Sequence, residues 1–270
     1  MSPEPELLAV TAATGALGRL AVAQLLRRVP PERVVAVVRN PDRAADLGVE
    51  VRHGDYDDPE SLVRSLTGVA QLLFVSSPEL APPRRVAQHR AVVDAAVRAR
   101  VDGVVYTGFL PVEGLFEAHR STEEALTASG LPCTLLRNPF YTEPFVDAAV
   151  GAEELVHATG GRGLNTATRA DLAEAAAVTL VDPGHRGRTY ELTGPLWTYP
   201  QLARSLGVPA RDGEVAGPMG WLHGLARAGM LEARTGDLRA LLGREPVGVE
   251  AVVSTPTGRG TDRGQSTSVT

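Results

Sequence analysis

The sequence predicts an α/β fold, a doubly wound parallel sheet covered by helices on both faces, with a small irregular C-terminal lobe. Two observations carry this. Short apolar runs alternate with longer stretches of helical period up to about residue 140. The first of those runs, Leu7-Leu8-Ala9-Val10, passes straight into Thr11-Ala12-Ala13-Thr14-Gly15-Ala16-Leu17-Gly18, a turn followed at once by a helix start. Runs that are apolar without alternation suit strands buried on both faces, which is the signature of a parallel rather than an antiparallel sheet.

Taken in order, strands are expected at Leu7–Val10, Val34–Val38, Glu50–His53, Leu72–Phe74, Gly103–Tyr106 and Cys133–Arg137. Helices are expected between them at Leu17–Arg28, Pro59–Leu66, Arg84–Arg98 and Glu117–Ser129. The first helix carries Leu17, Leu20, Ala21, Val22, Leu25 and Leu26, a face broad enough to cover a sheet. Beyond residue 140 the pattern loosens into a helix near Asp171–Val181, an extended Thr189–Leu192 and short Gly- and Pro-broken helices. This divides the chain into a core over 1–140, a lobe over 141–253 interleaved with it, and a tail over 254–270. The tail is almost devoid of apolar residues and is expected to be disordered.

The strand-turn-helix opening is the architecture of a dinucleotide pyrophosphate site, where Thr11, Thr14, Gly15, Ala16, Leu17 and Gly18 bring backbone and a helix N-terminus up to the phosphates. Where such sites usually begin with glycine, this chain has Ala12, whose methyl weakens cofactor binding if its φ must be positive. At the end of the second strand, where a ribose-binding protein normally places a carboxylate, the chain has Arg39. A guanidinium fork suits a 2′-phosphate, so the cofactor read from these residues is NADP (NADPH) rather than NAD. Arg43 lies one helical turn on and either shares that phosphate or faces water.

Composition narrows the rest. A net charge of −5 offers no basic footprint for nucleic acid. No apolar run approaches the roughly 20 residues that span a bilayer, and no basic-plus-apolar leader precedes the first strand, so the expected setting is cytoplasmic with no membrane partner. The single cysteine, Cys133, reads as a buried structural thiol. All 27 basic residues are arginine, so no lysine is present to act as acid, Schiff base or pKa-lowering cation. His53, His89, His157, His185 and His223 lack metal-ligand spacing and no metal is expected. Asp57 and Asp58 read as turn and N-cap residues, and Trp197 and Trp221 as packing of the small lobe or the walls of an aromatic slot.

With these pieces placed, the chain resembles the NmrA-like branch of atypical short-chain dehydrogenases, closest to bacterial type-2 NAD(P)H:quinone oxidoreductases. The resemblance runs over about residues 7–250. It rests on Thr14-Gly15-Ala16-Leu17-Gly18, Val38-Arg39-Asn40-Pro41, Gly54-Asp55-Tyr56-Asp57-Asp58-Pro59, Ser76-Ser77, Val105-Tyr106-Thr107, Glu117 to Glu123, Leu136-Arg137-Asn138, Ala167 to Asp171 and Leu241 to Arg244. It implies a Rossmann-type sheet, Asp55 beside the adenine, Ser76 and Ser77 near the ribose and pyrophosphate, and Thr107 and Asn138 at strand ends lining the cofactor. Asp55 also reads as a turn residue.

Short-chain dehydrogenases usually pair a tyrosine with a lysine four residues on, and none of the five tyrosines here has that partner. A quinone demands less acid catalysis, because hydride addition leaves a delocalised anion. His119 or water is then the expected proton source, with His119 the candidate side chain against a capping or solvated role, and Tyr141 orients a substrate oxygen or packs in the core or lid. Pro139-Phe140 stand where the quinone reductases commonly have Gly-Trp, so the substrate extends to other conjugated aromatics, including natural-product tailoring. The alternatives are an NADP-binding redox sensor with little catalysis and a non-redox cyclase or isomerase. A homodimer is the oligomer considered, since the Arg84–Arg98 helix can cover a sheet or another subunit.

Overall fold

The computed structural model describes residues 6–254. In chain order its strands are β1 (Leu7–Thr11), β2 (Val34–Val38), β3 (Glu50–His53), β4 (Val69–Val75), β5 (Gly103–Phe109), β6 (Cys133–Asn138), β7 (Leu155–His157), β8 (Leu164–Asn165), β9 (Thr189–Glu191), β10 (Leu196–Trp197) and β11 (Ala210–Asp212). The helices are α1 (Ala16–Leu25), α2 (Pro59–Leu66), α3 (Pro82–Arg98), α4 (Glu117–Ser129), α5 (Glu143–Ala149), α6 (Arg169–Val181), α7 (Tyr199–Leu206), α8 (Gly217–Arg227), α9 (Asp237–Leu242) and α10 (Val249–Ser254).

Seven strands form one sheet in the order β3-β2-β1-β4-β5-β6-β9, and every pairing in it is parallel. Both faces are buried, and the two-residue side-chain period sorts each strand between them. Leu8 and Val10 of β1, with Val34, Ala36 and Val38 of β2, face α1 and α6, while Ala9, Val35 and Val37 face α2, α3 and α4. A third core joins Phe145, Val146, Leu164, Trp197, Tyr199, Leu202, Leu222 and Val252 from the later elements to Leu110 and Val112 after β5. Because α6 and β9 pack in the main sheet, the lobe is built from segments that leave and re-enter the core.

The expected elements are present with adjusted ends. β4 and β5 run longer than expected, since their flanking residues continue the pairing. α1 stops at Leu25, not Arg28, where the Arg28 and Val29 N–H groups both turn back to the Leu25 carbonyl. Ser254, assigned from sequence to the tail, closes α10, and the remaining tail, 255–270, lies outside the described residues. Cys133 is half-buried, with burial chiefly pushing its thiol up. Asp58 caps α2 by accepting from the Ser61 N–H.

Candidate active site

Strand order reverses at β1, which has β2 on one side and β4 on the other, so a crevice opens beyond the carboxyl ends of these strands. The β1–α1 turn lies at that crevice. α1 begins at Gly15 with no side-chain cap, leaving its first-turn N–H groups directed outward. Gly18 is required by contact: a methyl there would sit 2.8 Å from Ala13 Cα and closer still to the Ala12 carbonyl. Ala12 adopts φ +49°, in the left-handed region that glycine occupies at no steric cost. The condition under which its methyl matters is therefore met.

The other expected cofactor residues fall around the same crevice, with different freedom. Thr14, Gly15 and Ala16 are accessible, whereas Leu17 is buried in the α1 core face and offers only its backbone. Thr11 is fully buried. Its hydroxyl accepts from the Val75 N–H at 3.0 Å and from the Tyr56 hydroxyl at 2.6 Å, a tie between β1 and β4 that leaves it no reach to a ligand. Arg39 and Arg43 are exposed at the end of β2, and among the described residues their guanidinium groups make no hydrogen bond or ion pair. Asp55 is engaged in a turn, its Oδ1 accepting from the Asp57 N–H at 3.0 Å. The Ser76 N–H donates to the Thr107 hydroxyl at 3.1 Å, and Ser77 is buried, donating to Gln88 Oε1 at 2.5 Å. Asn138, at the end of β6, is buried with Oδ1 lacking any donor.

These features test the site against NAD(P)H, and they fit. The open helix terminus suits a pyrophosphate, the two unpaired guanidinium groups suit a 2′-phosphate, and the orphaned Asn138 oxygen suits a carboxamide N–H. Among the described residues no group of three or more His, Cys, Asp or Glu could hold a metal, and no helix is long and apolar enough to cross a membrane.

Beyond β5 and β6 lies a polar cluster that sequence reasoning recognised only through His119. His119 on α4 is buried, with Nδ1 2.7 Å from the Tyr106 hydroxyl, and its ring stacks on Phe109 at 6.0 Å between centroids. His89 on α3 accepts from the Ser77 N–H through Nε2 at 2.9 Å, so its proton resides on Nδ1 and is directed at the Thr122 hydroxyl 2.8 Å away. Burial, reinforced by the charge of Arg85, pushes both imidazoles down to about 3. In His119 that direction favours the uncharged imidazole, which accepts from the Tyr106 hydroxyl, over the protonated form that a proton donor requires. Tyr141 is half-buried, pushed up mainly by burial, with the Arg169 guanidinium 4.6 Å from its ring centroid.

Next to this cluster is a narrow apolar crevice, with room for little more than a water molecule, whose walls include Phe109, Leu110, Pro139, Phe140, Asn165 and Met230. Neither tryptophan lines it: Trp197 is buried in the lobe core, donating to the Thr166 hydroxyl at 2.7 Å, and Trp221 is exposed on α8. Arg85, Gln88, His89 and Tyr106 were missed from sequence. The available signal was polar residues at Gln88 and His89, on the α3 face that also buries Val92, Val93 and Ala96.

Comparison with known proteins decides the family. The NAD(P)H-binding family matches residues 12–183. The chain belongs to it. It is 41% identical over 211 residues to quinone oxidoreductase 2 of Escherichia coli, covering 74% of this chain and 73% of that one. It is 33% identical over 201 residues to an NmrA-like family domain-containing oxidoreductase of Aspergillus flavus, covering 68% of this chain and 64% of the other. Among solved structures, Citrobacter triphenylmethane reductase complexed with NADP(H) superposes with a TM-score of 0.85 at 35% identity, over 91% of this chain and 98% of that one. The Escherichia coli NADPH-dependent quinone oxidoreductase complexed with NADPH gives 0.83 at 35% identity, over 92% and 99%.

Proposed function

We propose that this protein is an NADPH-dependent reductase that delivers hydride to a quinone or a comparably conjugated aromatic acceptor. The observation that carries this reading is the juxtaposition, across the carboxyl ends of one sheet, of a dinucleotide cradle with an apolar, aromatic-walled slot. The relatives named above, a quinone oxidoreductase and a triphenylmethane reductase, support the acceptor class.

When bound, the cofactor supplies a hydride from its nicotinamide. The chain's own residues do the rest. Ala16, Leu17 and Gly18 receive the pyrophosphate on the backbone N–H groups of the first turn of α1, Gly15 shaping the approach with its own N–H given to the Ala12 carbonyl, Arg39 with Arg43 takes the 2′-phosphate, and Asn138 fixes the carboxamide. Phe109 and Phe140, in edge-to-face contact at 4.9 Å between centroids, wall a narrow apolar crevice that parts to admit a flat acceptor and so keeps water out until it binds. Ser77, His89, Thr122, Tyr106 and His119 form a neutral hydrogen-bonded chain that holds the slot's floor in one geometry. Because His119 is uncharged, the proton that completes the product comes from water. A cytoplasmic setting, the absence of a nucleic-acid partner and a homodimeric state belong to the same proposal.

The test is steady-state oxidation of NADPH and NADH against a small panel of quinones, with Arg39→Ala beside the wild type. Turnover that prefers NADPH is expected, with Arg39→Ala losing roughly 10- to 100-fold of that preference as one charge-assisted phosphate contact disappears. Tight NADP binding with no turnover would move the assignment to a redox sensor or a non-redox enzyme on the same fold.

A further inference from the structure

The proposed chemistry generates an anion, and the guanidinium of Arg85, which no other contact explains, is positioned for it. Arg85 is the fourth residue of α3, one helical turn before His89 and so on the same face. His89 pins that face against β5 and α4 through Tyr106 and Thr122, which sets Arg85 over the strand ends. Its Nε is buried with no partner, and among the described residues its guanidinium makes no hydrogen bond or ion pair. The side chain is half-buried, and partial removal of water with no counter-charge beside it drives Arg85 below its ordinary range. Its field reaches Tyr106, His119, His89 and Tyr141, groups from β5, α4, α3 and the segment after β6. The other cation beside Tyr141, Arg169, is compensated by Glu143 at 3.6 Å.

The cofactor's pyrophosphate is a poor match for this charge. Its cradle is at β1, while Tyr106 lies midway along β5 and Tyr141 three residues past the end of β6, two and three strands along, or roughly 10 and 15 Å at the usual strand spacing. The ends of β5 and β6, at Phe109 and beside Pro139, flank the aromatic crevice. The chain has no lysine, and the buried imidazoles there are neutral.

Resting on the reductase reading, we propose that Arg85 is a catalytic residue whose guanidinium receives the oxyanion that forms on the acceptor as hydride arrives. The nicotinamide C–H bond breaks, its hydride adds to a ring carbon conjugated with a C=O, and the displaced π electrons convert that C=O to C–O⁻. NADPH is oxidised to NADP⁺, water protonates the oxyanion, and solvent then takes the proton from the new ring C–H as the second carbonyl oxygen gains one, which gives the hydroquinone. Arg85 contacts the oxygen only as its charge develops, the form of binding that accelerates a reaction.

Arg85→Met and Arg85→Lys test this in two ways. The first readout needs no turnover: 4-nitrophenol, whose phenolate absorbs visibly, is titrated with pH on the NADP⁺-saturated protein. Wild type should lower the bound phenol's pKa by roughly one unit or more, Arg85→Met should abolish the shift, and Arg85→Lys should retain part of it. The second is quinone kinetics, where Arg85→Met should lose roughly 100-fold in kcat with NADPH affinity unchanged. Its melting temperature should hold, because a half-buried guanidinium without a partner leaves no group unpaired when it is removed. An unshifted nitrophenol on wild type, an unchanged kcat in Arg85→Met, or a loss confined to NADP⁺ affinity would each overturn the assignment while leaving the reductase reading intact. Absence of wild-type quinone turnover would instead defeat that reading, and the nitrophenol shift would still report on Arg85.

Discussion

Acidification should unfold this protein earlier than its carboxylates alone would, because His89 and His119 are buried in the uncharged state. Both are pushed from an ordinary 6.5 down to about 3. Below the ordinary value the unfolded chain takes up protons that the folded chain refuses. The stability these sites contribute is therefore intact above about pH 6.5 and is lost progressively as pH falls toward 3. At 1.36 kcal/mol per unit of difference, each histidine removes about 2 kcal/mol between about pH 7 and pH 5, so the pair removes at most about 4 kcal/mol. That is a large part of the 5–15 kcal/mol typical of a domain. His223, also lowered by burial and by His157, adds in the same direction. Asp57, Glu60 and Glu79 are held below the usual carboxylate range by Arg84, Arg98 and backbone N–H groups, so their contribution falls away at lower pH. Urea denaturation at about pH 7, 6 and 5 measures the slope, and His89→Gln and His119→Gln should each flatten it. A folding free energy unchanged from pH 7 to 5, or a full slope in the double variant, would refute the argument.

Three further outcomes follow from the cofactor turn and the C-terminal anchor. Ala12→Gly should raise stability by about 0.5–1 kcal/mol, the left-handed cost of alanine less the extra unfolded-state freedom of glycine, as read by the urea midpoint. Gly18→Ala should weaken NADP⁺ binding by more than about 10-fold in a calorimetric titration, because the added methyl meets backbone that cannot yield. Asp171 is buried and accepts from Arg244 at 2.8 Å and from the Val247 N–H at 2.7 Å. Asp171→Ala should cost about 1–3 kcal/mol and open the segment from α9 to α10 to limited proteolysis.

Local sequence determined the sheet and the cofactor end of the site. Both-face burial leaves its mark on every residue of a strand such as Val34–Val38, and a strand that enters a helix through Ala12 to Gly18 admits few other geometries. Arg39 was legible for the same reason, since its place at the end of β2 is counted along the chain. Tertiary structure decided what contacts do. That Thr11 is spent on Val75 and Tyr56, that His119 is neutral, and that Arg85 lacks a counter-charge follow from residues between 13 and 64 positions apart meeting across the sheet and its helices. Periodicity reports which side of an element is buried, but a proton's affinity and a cation's freedom depend on what the other elements bring to that side, and that is fixed only when the sheet closes its crevice.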